Sequence, residues 1–190
     1  NSNTLQIPKK KYVLLATTPK TLKNQTKESS IKFQIEYNHI IKEISKITTK
    51  INKNLLIKVH HGSISNEKKI VDKINSDIIV ETTGSFYQYA KNCDVLICID
   101  MTTAILEAMI LKKPVILVLL NDKSSYPEIF QNNYLTITNI SNLENVLTKL
   151  FSDDLHKKTL VKNGEKFLDY YLDNIGCSSK KLLDFLEHNK

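Results

Sequence analysis

With 190 residues, 41% of them hydrophobic and 25% charged, the chain has the length of one ordinary domain, the apolar content for a sizeable core, and too much of it for global disorder. Its net charge of +7 rests on 27 basic residues, every one a lysine. The sequence is rich in Lys, Ile and Asn throughout, and lysines cluster in KEISK, NEKK and HKK, so the charge reads as solvated helix surface and not as a nucleic-acid footprint.

Residues 1–10, NSNTLQIPKK, read as a linker or boundary segment without the pattern of a secretion leader. From there strand-like and helical runs alternate. KYVLLATT (11–18) is an apolar run stopped by Pro19, which predicts a buried strand. Residues 18–30 are polar and read as a loop. Residues 29–51 carry Ile31, Ile35, Ile40, Ile44, Ile47 and Ile51 at helical spacing, with Ser30 as N-cap. LLIKV (55–59) predicts a second strand, NEKKIVDKI (66–74) a short helix, and DIIVE (77–81) a third strand. SFYQYAKN (85–92) is helical and leads into DVLICI (94–99), the fourth strand. TTAILEAMILKK (102–113) predicts a helix ended by Pro114, and PVILVLL (114–120) a fifth strand, since proline is tolerated at a strand's first position. NYLTIT (133–138) is a sixth strand. The remainder is helical: 141–151, 153–173 and 178–189.

Continuous Val/Ile/Leu strands separated by helices predict a parallel sheet covered on both faces. Right-handed crossovers then give an α/β doubly wound, six-stranded sheet of order 3-2-1-4-5-6, with extra C-terminal helices. Residues 11–152 form this Rossmann-like unit, and 153–190 pack back on it or on a domain outside the chain.

No run of about 18 apolar residues exists to span a bilayer, which leaves peripheral contact with a membrane surface open. Cys93, Cys98 and Cys177 are odd in number and lack metal-ligand spacing, so they read as core thiols of a reducing cytoplasm.

Ligands of a doubly wound sheet bind beyond the carboxyl ends of its strands, where strand order reverses. In the predicted order Thr17 and Thr18 end the first strand, His60 and His61 follow the second, and Asp100-Met101-Thr102-Thr103 follow the fourth. Hydroxyls, imidazoles and a helix start therefore converge on one rim. Two usual phosphate devices are excluded. A G-x-G-x-x-G turn or a Walker A loop needs glycines after the first strand, and the four glycines are at 62, 84, 164 and 176. A bidentate guanidinium clamp is excluded by the lack of arginine. Phosphate would fall to hydroxyls, histidine, lysine and backbone N–H groups.

Glu107 lies four residues after Thr103, on the same helix face, about 6 Å further along the axis. That spacing suits phosphate at the helix start and ribose hydroxyls on the carboxylate. It equally suits a solvent-facing acid on an otherwise buried helix. His60 follows the alternation of its strand, whereas His61 turns away. With no third ligand near them, zinc is not expected. Asp100, the nearest further carboxylate, reads as ordering Met101 and Thr102, and no residue is assigned as catalytic.

Together these motifs resemble a known family. DVLICIDMTTAILEAMILKKPVILV is similar to the C-terminal, donor-binding half of GT-B-fold enzymes: an aspartate-led strand, a Ser/Thr-rich turn, E-A, and P-V. LLIKVHHGS resembles their K-x-H-P element, with His61 in place of proline, and YYLDNIGCSSKKLLDFL resembles their closing segment. The resemblance implies a nucleotide-binding role for His60 and for Thr102 and Thr103 at the phosphates, and for Glu107 at the ribose. It implies contact of the base with the segment from Glu81 to Phe86, which holds Thr82 and Thr83; Thr17 and Thr18 complete the rim.

The resemblance further implies a transferase that takes a sugar or polyol phosphate from a nucleotide-activated donor, such as a UDP-sugar or CDP-polyol, in surface polysaccharide or glycoconjugate synthesis. No cofactor or metal is expected beyond that donor. An N-terminal domain or a partner chain would supply the acceptor site. Two alternatives stand beside it: a UDP-GlcNAc 2-epimerase-like isomerase, ranked lower for lack of glycines in the Thr-Thr turn and of an arginine, and a non-catalytic Rossmann-like binding module.

Overall fold

A computed structural model of the chain describes residues 10–18, 27–60, 66–120 and 133–172, with the backbone alone for 27–30. Six short strands carry the core: β1 (Val13–Ala16), β2 (Leu55–Lys58), β3 (Ile79–Glu81), β4 (Val95–Ile99), β5 (Val115–Val118) and β6 (Thr136–Thr138). Every pairing is parallel, and the order is β3-β2-β1-β4-β5-β6, as the alternation of elements predicts. Order reverses between β1 and β4, which sit side by side at the centre.

Although the strands are apolar throughout, alternate residues serve different helices. Leu14, Ala16, Leu56, Leu96, Cys98 and Leu117 face one layer, formed by α3 (Phe86–Asn92), α4 (Ala104–Ile110) and α6 (Asp154–Tyr171). Leu15, Ile57, Ile97 and Ile116 face the other, formed by α1 (Lys27–Lys50), α2 (Glu67–Val71) and α5 (Leu143–Ser152).

α6 packs back on the sheet: Phe167 and Leu168 are buried in the first layer. Gly164 allows the approach, since a Cβ there would lie 3.2 Å from Met109 Cγ. Asp153 caps α6 by accepting from the His156 N–H at 2.9 Å.

Several predicted boundaries shift. α1 starts at Lys27, inside the stretch read as loop, so Ser30 lies within the helix and is not its cap. The buried stripe of α1 is Tyr37, Ile40, Ile41, Ile44, Ser45 and Thr48, while Ile31 and Ile35 are 51% and 66% exposed. At about 100° per residue the five-residue step from Ile35 to Ile40 leaves the stripe, so the two N-terminal isoleucines point off the sheet. α4 is shorter than its predicted span, seven residues, because Lys112 adopts φ 55 and ends it. Cys93 and Cys98 are buried free thiols. Cys177 and the helix predicted over 178–189 lie outside the described residues. No described helix is long and apolar enough to cross a membrane.

Candidate functional site

The carboxyl ends of β1, β2 and β4 open on one cleft of about 290 Å³. It is lined by Ala16 and Thr17 from β1, Lys58, Val59 and His60 from β2, Gly84 and Phe86 from the β3–α3 turn, and Thr102, Thr103, Ala104 and Glu107 from the start of α4. Five of the predicted residues therefore meet: Thr17, His60, Thr102, Thr103 and Glu107.

Their local roles differ. The Thr17 side chain accepts the His60 N–H at 2.8 Å, and the Thr17 N–H donates to the Lys58 carbonyl at 3.1 Å. These bonds hold the ends of β1 and β2 together one step past the strands and leave the His60 side chain exposed at the mouth. The Thr102 hydroxyl accepts from the Ala104 N–H at 3.4 Å, and Thr103 occupies the N-cap of α4 without a side-chain cap bond. Thr103, Ala104 and Glu107 share one face of that helix. Glu107 is exposed.

The remaining predicted residues stand apart from the cleft. Thr18 is buried, and its N–H donates to the Tyr37 hydroxyl at 2.7 Å. Burial pushes the Tyr37 phenol up to about 12, so it stays neutral in this role. Thr82 and Thr83 are exposed and line no part of the cleft; their neighbour Gly84 does, with φ 79 turning the chain back toward α3. The turn is held by the Tyr89 hydroxyl, which donates to the Thr83 carbonyl at 3.3 Å. Burial first, then the charge of Glu81, pushes the Tyr89 phenol up to about 12. His61 lies outside the described residues.

Asp100 departs from its predicted role. It turns the chain after β4 through φ 63, a left-handed conformation that aspartate tolerates better than most side chains. Its Oδ1 is buried without a hydrogen-bond partner, and no hydrogen bond joins the carboxylate to Met101 or Thr102. The backbone, not the side chain, shapes this turn.

Lys58, the lysine of the K-x-H-P-like element, was given no role from the sequence. It ends β2 between Ala16 and Glu81 of the neighbouring strands, on the same sheet face as Leu56. It is only 7% exposed, and burial lowers its pKa, with the charge of Glu81 acting the other way. Two signals were available, its place in that element and its lone charge inside the apolar run LLIKV.

Across Thr102 and Thr103 lies a second hollow of about 210 Å³, apolar in character and bounded by Met101, Ile105, Leu106, Phe167 and Tyr171. Phe167 and Tyr171 stack there with ring centroids 5.7 Å apart. Among the described residues, no group of three or more His, Cys, Asp or Glu is placed to hold a metal ion.

No family model matches the chain, and no curated protein sequence does. Solved structures do match. MnaA of S. aureus, in a structure with UDP, superposes with a TM-score of 0.63 at 18% identity, over 95% of this chain and 46% of that one. UDP-GlcNAc 2-epimerase from Neisseria meningitidis, bound to UDP-GlcNAc, gives 0.62 at 18% identity, over 96% of this chain and 45% of that one. The C-terminal domain of a glycosyl transferase group 1 family protein from Francisella tularensis gives 0.57 at 17% identity, over 87% of each chain. The chain thus spans less than half of the first two and most of the isolated domain. From strand order, helix layers and these superpositions, the chain has the Rossmann-like fold that forms one half of GT-B glycosyltransferases and UDP-GlcNAc 2-epimerases.

Proposed function

We propose that the chain is the donor-nucleotide lobe of a GT-B-type transferase, which moves a sugar or polyol phosphate from a nucleotide-activated donor in surface polysaccharide or glycoconjugate synthesis. The observation that carries this is the cleft at the switch point, where His60, Thr102, Thr103 and Glu107 meet. In this reading the diphosphate lies between His60 and the two threonines, the ribose hydroxyls donate to Glu107, and the base rests against the turn at Gly84 and Phe86. Transfer would require a second lobe, from the same polypeptide or another, to bring an acceptor and a base and to exclude water from the reacting carbon. In this reading the reaction takes place in the cytoplasm.

Calorimetry with UDP, CDP and ADP, with and without EDTA, tests the reading. Binding of at least one nucleotide is expected, unchanged by the chelator. No heat from any of them at millimolar concentration would favour a non-catalytic module instead. His60→Ala is expected to weaken the nucleotide that binds by about 1 to 3 kcal/mol, the range for a hydrogen bond to a charged group. An unchanged affinity would remove His60 from the phosphate site.

Glu107 has its own test. A carboxylate that accepts from two ribose hydroxyls has nothing to accept from a dideoxy ligand. Glu107→Ala is expected to reduce affinity for the ribonucleotide and leave that for its 2′,3′-dideoxy analogue nearly unchanged. Equal losses, or none, would make Glu107 the solvent-facing acid of the simpler reading.

A further inference from the structure

We infer that Tyr37 is a positioning residue for the cleft: its hydroxyl, buried behind the rim, fixes the end of β1 and acts through Thr17 on His60, so that it sets the affinity for a nucleoside diphosphate without touching one. The inference rests on the nucleotide reading of the cleft.

The end of β1 needs an anchor. Its pairing with β4 stops at Ala16 beside Cys98, and Asp100 then takes that chain out of the sheet through φ 63. On the other side the Thr17 N–H reaches the Lys58 carbonyl at 3.1 Å. The next N–H, that of Thr18, lies past both ladders in a buried position, where a donor requires an acceptor. It finds the Tyr37 hydroxyl at 2.7 Å, and the Thr18 hydroxyl lies 3.4 Å from the same oxygen.

This anchor is held from several sides. Tyr37 is fully buried, stacks on Phe33 with ring centroids 5.7 Å apart, and belongs with Ile41 and Ile44 to the cluster that seats α1 on the sheet. Glu67 at the start of α2 is also fully buried, and its charge acts on the Tyr37 phenol; hydrogen bonding by the Thr17 side chain acts on it in the opposite sense. Residues of α1, α2 and the end of β1 therefore converge on one hydroxyl. Tyr37 lines no part of the cleft itself.

Thr17 is where the buried anchor reaches the cleft wall. It lines the cleft, and its hydroxyl oxygen accepts the His60 N–H at 2.8 Å. One peptide bond joins it to Thr18. Release of Thr18 would let Thr17 shift, and with it the backbone that carries the His60 side chain. A ligand contact needs its geometry held within about 0.5 Å, so a looser support costs affinity even though every contact residue is still present.

The test compares the full 190-residue chain with Tyr37→Phe and Thr48→Val. Phenylalanine keeps the ring and removes the hydroxyl. Thr48→Val removes a buried hydroxyl from the same helix, where it bonds to the carbonyls of Ile44 and Ser45, and so reports any general loss of stability. Amide hydrogen exchange without ligand, followed by NMR, reads the positioning, and calorimetry with UDP reads its consequence. In the parent the Thr18 amide is expected to exchange as slowly as the amides inside β1. Exchange as fast as in an exposed loop would overturn the inference, and this measurement decides even if Tyr37→Phe does not fold.

In Tyr37→Phe the Thr18 and His60 amides are expected to exchange at least about tenfold faster, and UDP to bind about threefold to tenfold more weakly. Thr48→Val is expected to change neither. In a His60→Ala background, Tyr37→Phe is expected to cost less than about twofold, because the side chain it positions is gone. Given a parent that binds UDP, an unchanged affinity in Tyr37→Phe, an equal loss in Thr48→Val, or a loss that persists in full without the His60 side chain would overturn the inference while the nucleotide reading stands. A parent that binds no nucleotide would end the nucleotide reading alone: faster exchange at Thr18 and His60 in Tyr37→Phe would still sustain the hold of Tyr37 on the rim, and unchanged exchange would overturn that too.

Discussion

Ile97→Ala is expected to destabilise the fold by about 2 to 5 kcal/mol, the range for truncating a fully buried isoleucine. Ile97 is completely buried in β4, with Leu15 of β1 and Ile116 of β5 as its register neighbours. It belongs to the cluster that receives α1 and α5. Hydrogen-bonded strands flank it on both sides, so the backbone cannot close in on the cavity. Denaturant unfolding checks this as a lower midpoint with an unchanged slope. Ile35→Ala is the matched control: at 66% exposure it is expected to change stability by less than about 0.5 kcal/mol. A comparable loss from Ile35 would mean that α1 docks through its other face.

Thr103→Glu is expected to abolish binding of a nucleoside diphosphate and to leave the fold intact. Thr103 is exposed, sits at the N-cap of α4 and makes no side-chain cap bond, so little native structure depends on its hydroxyl. An acid at a helix N-terminus is mildly favourable. The same carboxylate would stand in the cleft beside Thr102, where the diphosphate is proposed to lie. A pair of like charges about 4 Å apart, at the effective dielectric near a protein surface, repel by roughly 4 kcal/mol. The melting curve is therefore expected to be unchanged, the heat of UDP binding lost, and any heat from uridine retained. UDP binding that survives the substitution would place the phosphates elsewhere.

Strand order and the position of the rim were legible because they depend on coarse features. LLIKV, DVLICI and PVILV are too apolar for a sheet with a wet face, and the helices between them require crossovers, whose handedness leaves few arrangements. The meeting of His60 with Thr102, Thr103 and Glu107 follows from that order alone.

What escaped depends on neighbours distant in sequence. Nothing within LLIKV states that its lysine will be buried; that depends on strand neighbours such as Ala16, in register beside it. Thr17 and Thr18 look equivalent in sequence, yet one faces the cleft and the other is held by Tyr37 of α1. Thr82 and Thr83 look like a loop reaching for a base, but only Gly84 beyond them has the backbone conformation that turns into the cleft. Asp100 looks like a side-chain organiser and acts through its φ angle. In α1, regular isoleucine spacing concealed a phase break that only docking on the sheet exposes.

The two hydrogen bonds between Thr17 and the end of β2 have a kinetic consequence. They fix the backbone at residue 60 during folding, so this side of the cleft is in place before any ligand arrives. Ligand capture then includes no step in which these strand ends become ordered, and the associated loss of backbone freedom does not fall on the bound state. For the proposed nucleotide, association at such a preformed mouth would be governed by diffusion and by attraction between the anionic ligand and a lysine-rich molecule, and would slow as salt is added. Discrimination among such ligands would then be left to the dissociation rate, that is, to how long the side chains above that clasp retain what they have caught.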